Sequence, residues 1–421
     1  MKTPLELPYG RENIAFDLPP KWEADLFRPN PVPSAKDPRA EVLQALDRPL
    51  GNKPLEHFRR AASVAIAIPD ETRLIPYPLI LPPLLDRLGR MGIAPPDVRI
   101  LIASGLHPPM PGARLSTLLP AEIIGKYPVG VHDARQPGLT FLGNTSRGTP
   151  VFLNPAFLQA DLRLVIGLID PHQFVGYTGG VKGAAIGLAG WQTIEANHSM
   201  LFQPGAVVGE IRGNPVRQDI EEIGRMAGVH WVLNVVLNET NRIVRVLSGD
   251  PVEVEEIGSE FCRTLYETEV SKEYDLVIAS PGGYPKDINL YQAQKALAHA
   301  APLVRQGGDI LFFAECADGH GDEAFYRMMI RHKNPREVID RFRHVKFRMG
   351  DHKAFLWCRS LNKAQVHLYS SIDEGLCRAL MVRPVRDIRE ALEGIGKRHS
   401  GPPRIAVMPK ANSSYIKFRT N

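Results

Sequence analysis

The chain has 421 residues, of which 44% are hydrophobic and 23% are charged, and its formal net charge is +5. At about 100–200 residues per domain, this length predicts two domains whose cores need no disulfide support. The sequence has no long run of like charges that would indicate a nucleic-acid partner, and no apolar run of the roughly 18 residues that a membrane span needs.

The first residues predict a β-hairpin in which LELPY and NIAFDLP flank the turn Gly10-Arg11-Glu12. Glu, Pro, Gly and Arg interrupt the apolar residues here, which is not the pattern of a secretory signal. The cysteines are far apart and form no CxxC pair, so we expect reduced thiols and a cytoplasmic location rather than disulfides or a zinc site. They are Cys262, Cys316, Cys358 and Cys377.

After a Pro-rich connector at 29–38, apolar runs alternate with helical patterns. The runs at 63–69, 99–104 and 162–169 are predicted strands, and 78–91 is a predicted helix. Because these apolar runs are unbroken, they indicate parallel strands that are covered on both faces, as is typical of an α/β fold.

A second strand–helix–strand series begins near residue 274 with YDLVIASPGG, YQAQKALAHAAPLV and GGDILFFAECADGHG, after a charged helical stretch at 252–273. The sequence therefore predicts two α/β domains with a ligand cleft between them. The first domain is predicted over 1–270 and the second over 271–421, with the last residues able to pack back on the first domain.

Ionisable side chains follow the three predicted strands of the first domain, in DETR at 70–73, GLH at 105–107 and DPH at 170–172. Since open α/β sheets bind ligands at the carboxyl ends of their strands, we expect these groups at one site. His107 and His172 are a candidate acid–base pair, and Arg73, oriented by Asp70, is a candidate for binding a carboxylate. Structural hydrogen bonds for the histidines and a surface ion pair for Arg73 are the alternatives.

The segment GYTGGVKG at 176–183 is rich in glycine and contains Lys182. Glycines let the backbone approach a ligand and expose N–H groups, and the lysine is a candidate covalent anchor or phosphate partner. The segment matches neither a Walker A loop nor the dinucleotide GxGxxG pattern, so a tight turn with a solvent-facing lysine is the alternative.

Two predicted helices add further candidates. His198 has no second ligand four residues on, so a metal bound there needs donors from another source such as a cofactor; a structural histidine is the alternative. Tyr291 and Lys295 lie four residues apart and share a helix face, where with Gln292 they are suited to an anionic substrate; an ordinary amphipathic helix is the alternative.

In this order the segments resemble the nickel-pincer lactate racemase family over most of the chain. The matching motifs are DETR at 70–73, GLH at 105–107, PH at 171–172 with GGVK at 179–182, NH at 197–198, and YQ at 291–292 with Lys295. The resemblance implies that the first domain holds the cofactor and the catalytic residues and that the second closes over the substrate. It implies inversion of C2 of a small 2-hydroxy carboxylate, lactate or a related acid, by reversible hydride transfer.

The resemblance also implies a role for each residue. His107 and His172 match the catalytic bases, His198 matches the nickel ligand, and Lys182 matches the covalent attachment of a pyridinium mononucleotide whose two thiocarbonyl-type arms hold nickel. The other implied cofactor-binding positions are Asp70, Thr72, Gly179 and Gly180. The implied substrate-binding positions are Arg73, Tyr291, Gln292, Lys295 and Trp357. Enzymes that mature the cofactor are the implied partners.

The chain departs from the family pattern where Pro108 follows His107 in place of a common arginine, and where the residues around Val181 lack a proline. The predicted bases and anchors are unaffected, but the choice among 2-hydroxy acids stays open. Two other classes of function also stay open. One is a Schiff-base enzyme that uses Lys182, for example with pyridoxal phosphate, and the other is an organic-acid or nucleotide-binding protein without turnover.

Overall fold

The computed structural model describes residues 4–51, 53–342 and 351–419. The chain divides into two compact units. We call residues 31–265 the N-terminal unit, and residues 1–30 together with 266–421 the C-terminal unit. No helix among the described residues has both the length and the apolar character needed to cross a membrane.

Strands occur in both units. In chain order they are β1 (Leu5–Tyr9), β2 (Glu12–Phe16), β3 (Ala24–Leu26), β4 (Val64–Pro69), β5 (Val98–Ala103), β6 (Val129–Val131), β7 (Thr140–Asn144), β8 (Pro150–Leu153), β9 (Leu162–Leu168), β10 (Pro171–His172), β11 (Gly176–Tyr177), β12 (Trp231–Leu237), β13 (Ile243–Gly249), β14 (Glu267–Val270), β15 (Tyr274–Ala279), β16 (Val304–Phe313), β17 (Ala364–Tyr369), β18 (Arg383–Val385), β19 (Ile405–Met408) and β20 (Tyr415–Phe418).

Helices separate most of these strands. In chain order they are α1 (Pro38–Asp47), α2 (Tyr77–Arg90), α3 (Leu115–Leu118), α4 (Ala121–Lys126), α5 (Pro155–Leu158), α6 (Lys182–Ala185), α7 (Trp191–Ser199), α8 (Pro215–Met226), α9 (Pro251–Tyr266), α10 (Leu290–Ala300), α11 (Glu323–Ile330), α12 (Pro335–Arg341), α13 (Asp351–Lys363), α14 (Glu374–Ala379) and α15 (Ile388–Gly396).

The main sheet of the N-terminal unit has the strand order β13-β12-β9-β4-β5-β6. Its neighbours pair in parallel except for β12 with β13, which are antiparallel. The first five residues of β4, VAIAI, are all buried, as expected for a central strand that is covered on both faces. The predicted strands at 63–69, 99–104 and 162–169 and the predicted helix at 78–91 are confirmed as β4, β5, β9 and α2.

The main sheet of the C-terminal unit is parallel throughout and has the order β18-β17-β16-β15-β19-β3. Its edge strand β3 comes from the first 30 residues, and Ala24 pairs with Ile405. The predicted hairpin near the N-terminus is confirmed as β1 and β2. The prediction of one domain over 1–270 therefore differs from the structure in its first 30 residues, because the β3–β19 pairing joins them to the C-terminal sheet.

The four cysteines are all buried and form no disulfide. Burial raises the pKa of the Cys262 thiol well above its ordinary value, with a further contribution from nearby Asp170. A buried, protonated thiol behaves as a small apolar side chain. The four thiols are therefore free and buried in this structure.

Candidate functional site

The predicted site residues of the N-terminal unit follow three neighbouring strands. β9, β4 and β5 are adjacent and parallel, so their carboxyl ends lie at the same edge of the sheet. Asp70 follows β4, His107 follows β5 and His172 follows β9. The chain extends the sheet from β4 toward β5 and then returns to add β9 on the other side of β4. This makes the β4–β9 boundary a topological switch point, the usual place for a ligand in an open α/β sheet.

Asp70 and His107 form a hydrogen-bonded pair at this edge, with 2.7 Å between Asp70 Oδ2 and His107 Nδ1. The other carboxylate oxygen, Oδ1, accepts from the backbone N–H and the hydroxyl of Thr72, at 3.1 and 2.5 Å. Burial alone would raise the pKa of Asp70, but the bonds from His107 and Thr72 outweigh it and hold that pKa below its ordinary value. Asp70 is thus an acceptor at both oxygens, while the His107 side chain is 55% exposed.

Arg73 lies in the turn that Asp70 begins, where its backbone N–H donates to the Asp70 carbonyl oxygen at 3.1 Å. Its guanidinium Nη1 donates to the Thr72 carbonyl oxygen at 3.2 Å. The side chain is only partly buried. The guanidinium is therefore held against Thr72, the residue whose side chain donates to Asp70, and a carboxylate-binding role for Arg73 stays a prediction.

His172 lies in the short hairpin of β10 and β11, where its Nδ1 accepts from the backbone N–H of Val175 at 3.3 Å. Its ring contacts Phe174 edge-on, with 4.6 Å between ring centroids. Phe174 makes a similar contact with His198, at 5.2 Å. One aromatic ring therefore connects the predicted base on the hairpin to the predicted metal ligand on α7.

The orientation of the His198 ring is set by its neighbour Asn197. The Asn197 amide nitrogen donates to Asp219 Oδ2 at 2.8 Å and to the Val216 carbonyl oxygen at 3.1 Å. Both of these partners are acceptors, which fixes the amide so that its Oδ1 faces His198 Nδ1 at 3.1 Å. His198 Nδ1 must then carry the proton, and its Nε2 keeps the lone pair that a metal ligand needs.

The His198 side chain also suits a metal ion electrostatically. Burial, together with the charge of Lys182, lowers the pKa of His198 to about 3, so the ring is neutral near pH 7. In the described part of the chain, no group of three or more His, Cys, Asp or Glu side chains is arranged to hold a metal. A metal on His198 would therefore need its other donors from a bound cofactor, and the residues present fit the nickel-holding nucleotide that the resemblance implies.

Buried polar side chains form hydrogen bonds with the backbone of the glycine-rich loop that precedes Lys182. The backbone N–H of Gly180 donates to Asn234 Oδ1 at 2.7 Å, and Arg217 Nη1 donates to the carbonyl oxygens of Tyr177 and Gly179 at 3.2 and 3.5 Å. A Cβ atom on Gly180, whose φ is +54°, would lie 2.5 Å from Arg217 Nη2. Only glycine allows this close approach of the backbone.

Arg217 is fully buried and forms ion pairs with Glu255 at 3.1 Å and with Glu221 at 2.5 Å. Burial raises the pKa of Glu255 to about 7, although the charge of Arg217 opposes this shift. Lys182 is the first residue of α6, and its backbone N–H donates to the Gly179 carbonyl oxygen at 3.2 Å. The proposed anchor thus begins a helix whose preceding loop lies directly on a buried ion pair.

In the C-terminal unit, Tyr291, Gln292 and Lys295 lie on α10, as predicted. Asn289 caps this helix by accepting from the Gln292 backbone N–H at 3.0 Å. Lys295 Nζ donates to Gln292 Oε1 at 2.9 Å. Gln292 and Lys295 therefore form a polar pair on the first turns of the helix, with Tyr291 beside them in the chain.

Trp357 does not lie where its predicted role as a substrate-binding residue would place it. It is fully buried in the core of the C-terminal unit, its Nε1 donates to the Leu380 carbonyl oxygen at 2.9 Å, and its ring meets Phe325 edge-on. The apolar periodicity of α13 places this side chain toward the core and the sheet behind it. Trp357 is therefore a packing residue in this structure.

Comparison with known proteins extends over nearly the whole chain. Residues 9–209 match the family model described as the lactate racemase N-terminal domain, and residues 270–416 match the lactate racemase C-terminal domain. Lactate racemase from Thermoanaerobacterium thermosaccharolyticum is 31% identical, and lactate racemase from Lactiplantibacillus plantarum is 30% identical; each alignment covers 98% of this chain and 99% of the relative.

Solved structures give the same result. The lactate racemase apoprotein from T. thermosaccharolyticum superimposes with a TM-score of 0.92 at 30% identity, over 98% of this chain and 100% of that one. A Thermotoga maritima protein has a TM-score of 0.62 at 15% identity, over 90% of this chain and 96% of that one, which shows a shared fold alone.

Proposed function

The chain belongs to the lactate racemase family of isomerases, and from this membership we propose that it inverts C2 of a small 2-hydroxy carboxylate with a nickel-pincer nucleotide attached to Lys182. The substrate is lactate or a related 2-hydroxy acid. The observation that carries the proposal is His198, which is buried, neutral and oriented with its Nε2 lone pair available. The charge of Lys182 adds to the effect of burial in lowering the pKa of that ring.

The residues of this chain divide the remaining chemistry among them. When bound, the nickel nucleotide supplies an acceptor for the C2 hydrogen and its electron pair, and a donor that returns them to the other face of the planar 2-keto acid. His107 Nε2 takes the proton of the 2-hydroxyl group, and Asp70 stabilises the imidazolium that results. His172 handles the 2-hydroxyl proton of the opposite enantiomer in the same way. Arg73 binds the carboxylate, and we propose substrate contacts also for Tyr291, Gln292 and Lys295.

The cofactor assignment predicts one nickel ion and one covalent adduct per chain when the protein is made in cells that synthesise the cofactor. The Lys182→Ala variant is expected to lose the added mass, because the amine that forms the bond is gone. Lys126→Ala, which removes an exposed lysine at the end of α4, serves as the matched control and should keep it. Intact-protein mass spectrometry and metal analysis measure both. An unchanged adduct on Lys182→Ala would place the bond elsewhere.

The metal assignment predicts a different result for His198→Ala. This variant should keep the covalent adduct but lose most of its nickel. Asn197, which only orients the His198 ring through a hydrogen bond, cannot replace the missing nitrogen ligand. His230→Ala is the control, because His230 lies in the same unit and its Nδ1 accepts from the Arg163 backbone N–H. Full nickel occupancy in His198→Ala, measured by metal analysis after gel filtration, would exclude His198 as the ligand.

The substrate is identified by a screen of single enantiomers of 2-hydroxy acids with the nickel-loaded protein, with chiral chromatography as the readout. Inversion of lactate alone would make the chain a lactate racemase in the narrow sense. Inversion of a longer or aromatic 2-hydroxy acid would identify that acid as the substrate. If nickel-loaded protein inverts none of them, the proposed reaction is wrong.

A further inference from the structure

The two proposed bases differ in the partner that each Nδ1 atom meets. His107 Nδ1 faces the Asp70 carboxylate at 2.7 Å, and an ionised carboxylate can only accept a hydrogen bond. His172 Nδ1 faces the backbone N–H of Val175 at 3.3 Å, and a backbone N–H can only donate. These partners are fixed by their chemistry and do not depend on how a side-chain amide or hydroxyl is oriented.

A neutral imidazole has one N–H donor and one bare acceptor nitrogen. His107 must therefore carry its proton on Nδ1 and keep its lone pair on Nε2. His172 must keep its lone pair on Nδ1, so the proton of its neutral ring lies on Nε2. We infer that the resting protein holds its two catalytic histidines in opposite tautomers, with His107 presenting a base and His172 presenting a hydrogen-bond donor.

This difference gives the two histidines unequal roles at the start of a turnover. A substrate whose 2-hydroxyl group meets His107 can transfer its proton directly to Nε2, which forms an imidazolium beside Asp70. A substrate whose hydroxyl meets His172 instead accepts a hydrogen bond from Nε2–H. For His172 to act as a base, its proton must first move from Nε2 to Nδ1, and the bond from Val175 N–H must break. The catalytic meaning rests on the proposed function, whereas the tautomers do not.

Two other histidines in the same unit provide internal references. His132 is buried, with its Nε2 2.9 Å from the Ala189 carbonyl oxygen, which only accepts, so His132 is an Nε2–H tautomer. His198 is fixed as an Nδ1–H tautomer by Asn197. We therefore expect His107 to have the same tautomer as His198, and His172 to have the same tautomer as His132.

The test is nitrogen NMR of the full-length chain labelled with 15N-histidine and prepared without cofactor, at a pH of about 8.5, where histidines are generally neutral. The protonated and bare ring nitrogens have well-separated shifts, which identify each tautomer. Signals are assigned by their loss in His107→Gln, His172→Gln, His132→Gln and His198→Gln. We expect Nδ1–H for His107 and Nε2–H for His172.

Asp70→Asn tests the partner that sets the His107 tautomer. Thr72 donates twice to Oδ1, so an asparagine would keep its carbonyl oxygen there and turn its NH2 group toward His107. His107 should then change to Nε2–H, while the signals of His172 and His132 stay as they were. If Asp70 served only in folding, its replacement would not change the tautomer of His107 while leaving those of His172 and His132 unchanged.

Three outcomes would overturn the inference. They are an Nδ1–H tautomer at His172, equal populations of both tautomers at His172, or an unchanged His107 in Asp70→Asn. The NMR sample contains no cofactor, so its result does not depend on the proposed function. Failure of the proposed function would instead appear as missing nickel or a missing adduct in protein from cells that synthesise the cofactor.

Discussion

Asp70→Asn is expected to lower the turnover of the nickel-loaded protein by about 10⁴-fold, the scale seen when the carboxylate behind a catalytic histidine becomes an amide. The carboxylate accepts from His107 Nδ1 at 2.7 Å and leaves Nε2 as the base. An asparagine held by Thr72 would present a donor to Nδ1, so that Nε2 carries the proton and cannot take another from the substrate. Turnover of a 2-hydroxy acid identified by chiral chromatography is the measurement.

Glu71→Gln is the matched control for this change, because it converts the adjacent carboxylate to an amide. Glu71 pairs with Arg114 at 2.7 Å, and both side chains are substantially exposed. A surface ion pair of this kind contributes little, so Glu71→Gln should keep nearly full activity. If Asp70→Asn were as active as Glu71→Gln, with nickel fully bound, Asp70 would have no part in orienting the base.

Arg217→Met is expected to destabilise the protein by about 3–5 kcal/mol, because it leaves two acidic side chains without their buried counter-charge. Arg217 is fully buried, pairs with Glu221 and Glu255, and supports two carbonyl groups of the loop before Lys182. Urea unfolding followed by circular dichroism measures the loss. Attachment of the cofactor should also become slower in the variant, since the loop loses its support.

Arg212→Met is the control for this change, since Arg212 pairs with Glu256 at 3.6 Å and its side chain is 87% exposed. Its removal should alter the free energy of unfolding by no more than about 0.5 kcal/mol. Equal effects of the two substitutions would show that burial of the Arg217 ion pairs is unimportant.

Glu255 makes the stability of the folded chain depend on pH. Its pKa is raised by burial from 4.5 to about 7 in the folded chain, so the folded state binds a proton that the unfolded state has released. The stability from this proton is complete below pH 4.5 and is lost as the pH rises through about 7. Glu255→Gln removes the titrating group, and stability should then change less between these pH values.

The sequence predicted the elements whose signal is local. The apolar runs that became β4, β5 and β9 are continuous, and their positions in one parallel sheet explain why Asp70, His107 and His172 reach the same edge. The site motifs were recognisable because short stretches of sequence match the family. Both kinds of prediction depend on residues that are close together in the chain.

The supporting residues could not be predicted in this way. Arg217, Asn234 and Glu255 lie on α8, β12 and α9, well beyond the loop they support, and nothing in their own sequence context indicates that loop. The Val175 contact uses a backbone group, which has no sequence signature. Asn197 was visible beside His198, but its function depends on Asp219, which fixes the amide. Trp357 was assigned by motif, whereas the packing of α13 determines its burial.

The pairing of β3 with β19 also affects the order in which the chain can fold during synthesis. Residues 31–265 are continuous, so the N-terminal unit can fold as soon as it has left the ribosome. Ala24 must instead wait for Ile405, and at about 5–20 residues per second that delay lasts on the order of tens of seconds. During this time the β3 segment has no partner strand, so we expect the C-terminal unit to be the last part of the nascent protein to become resistant to proteases.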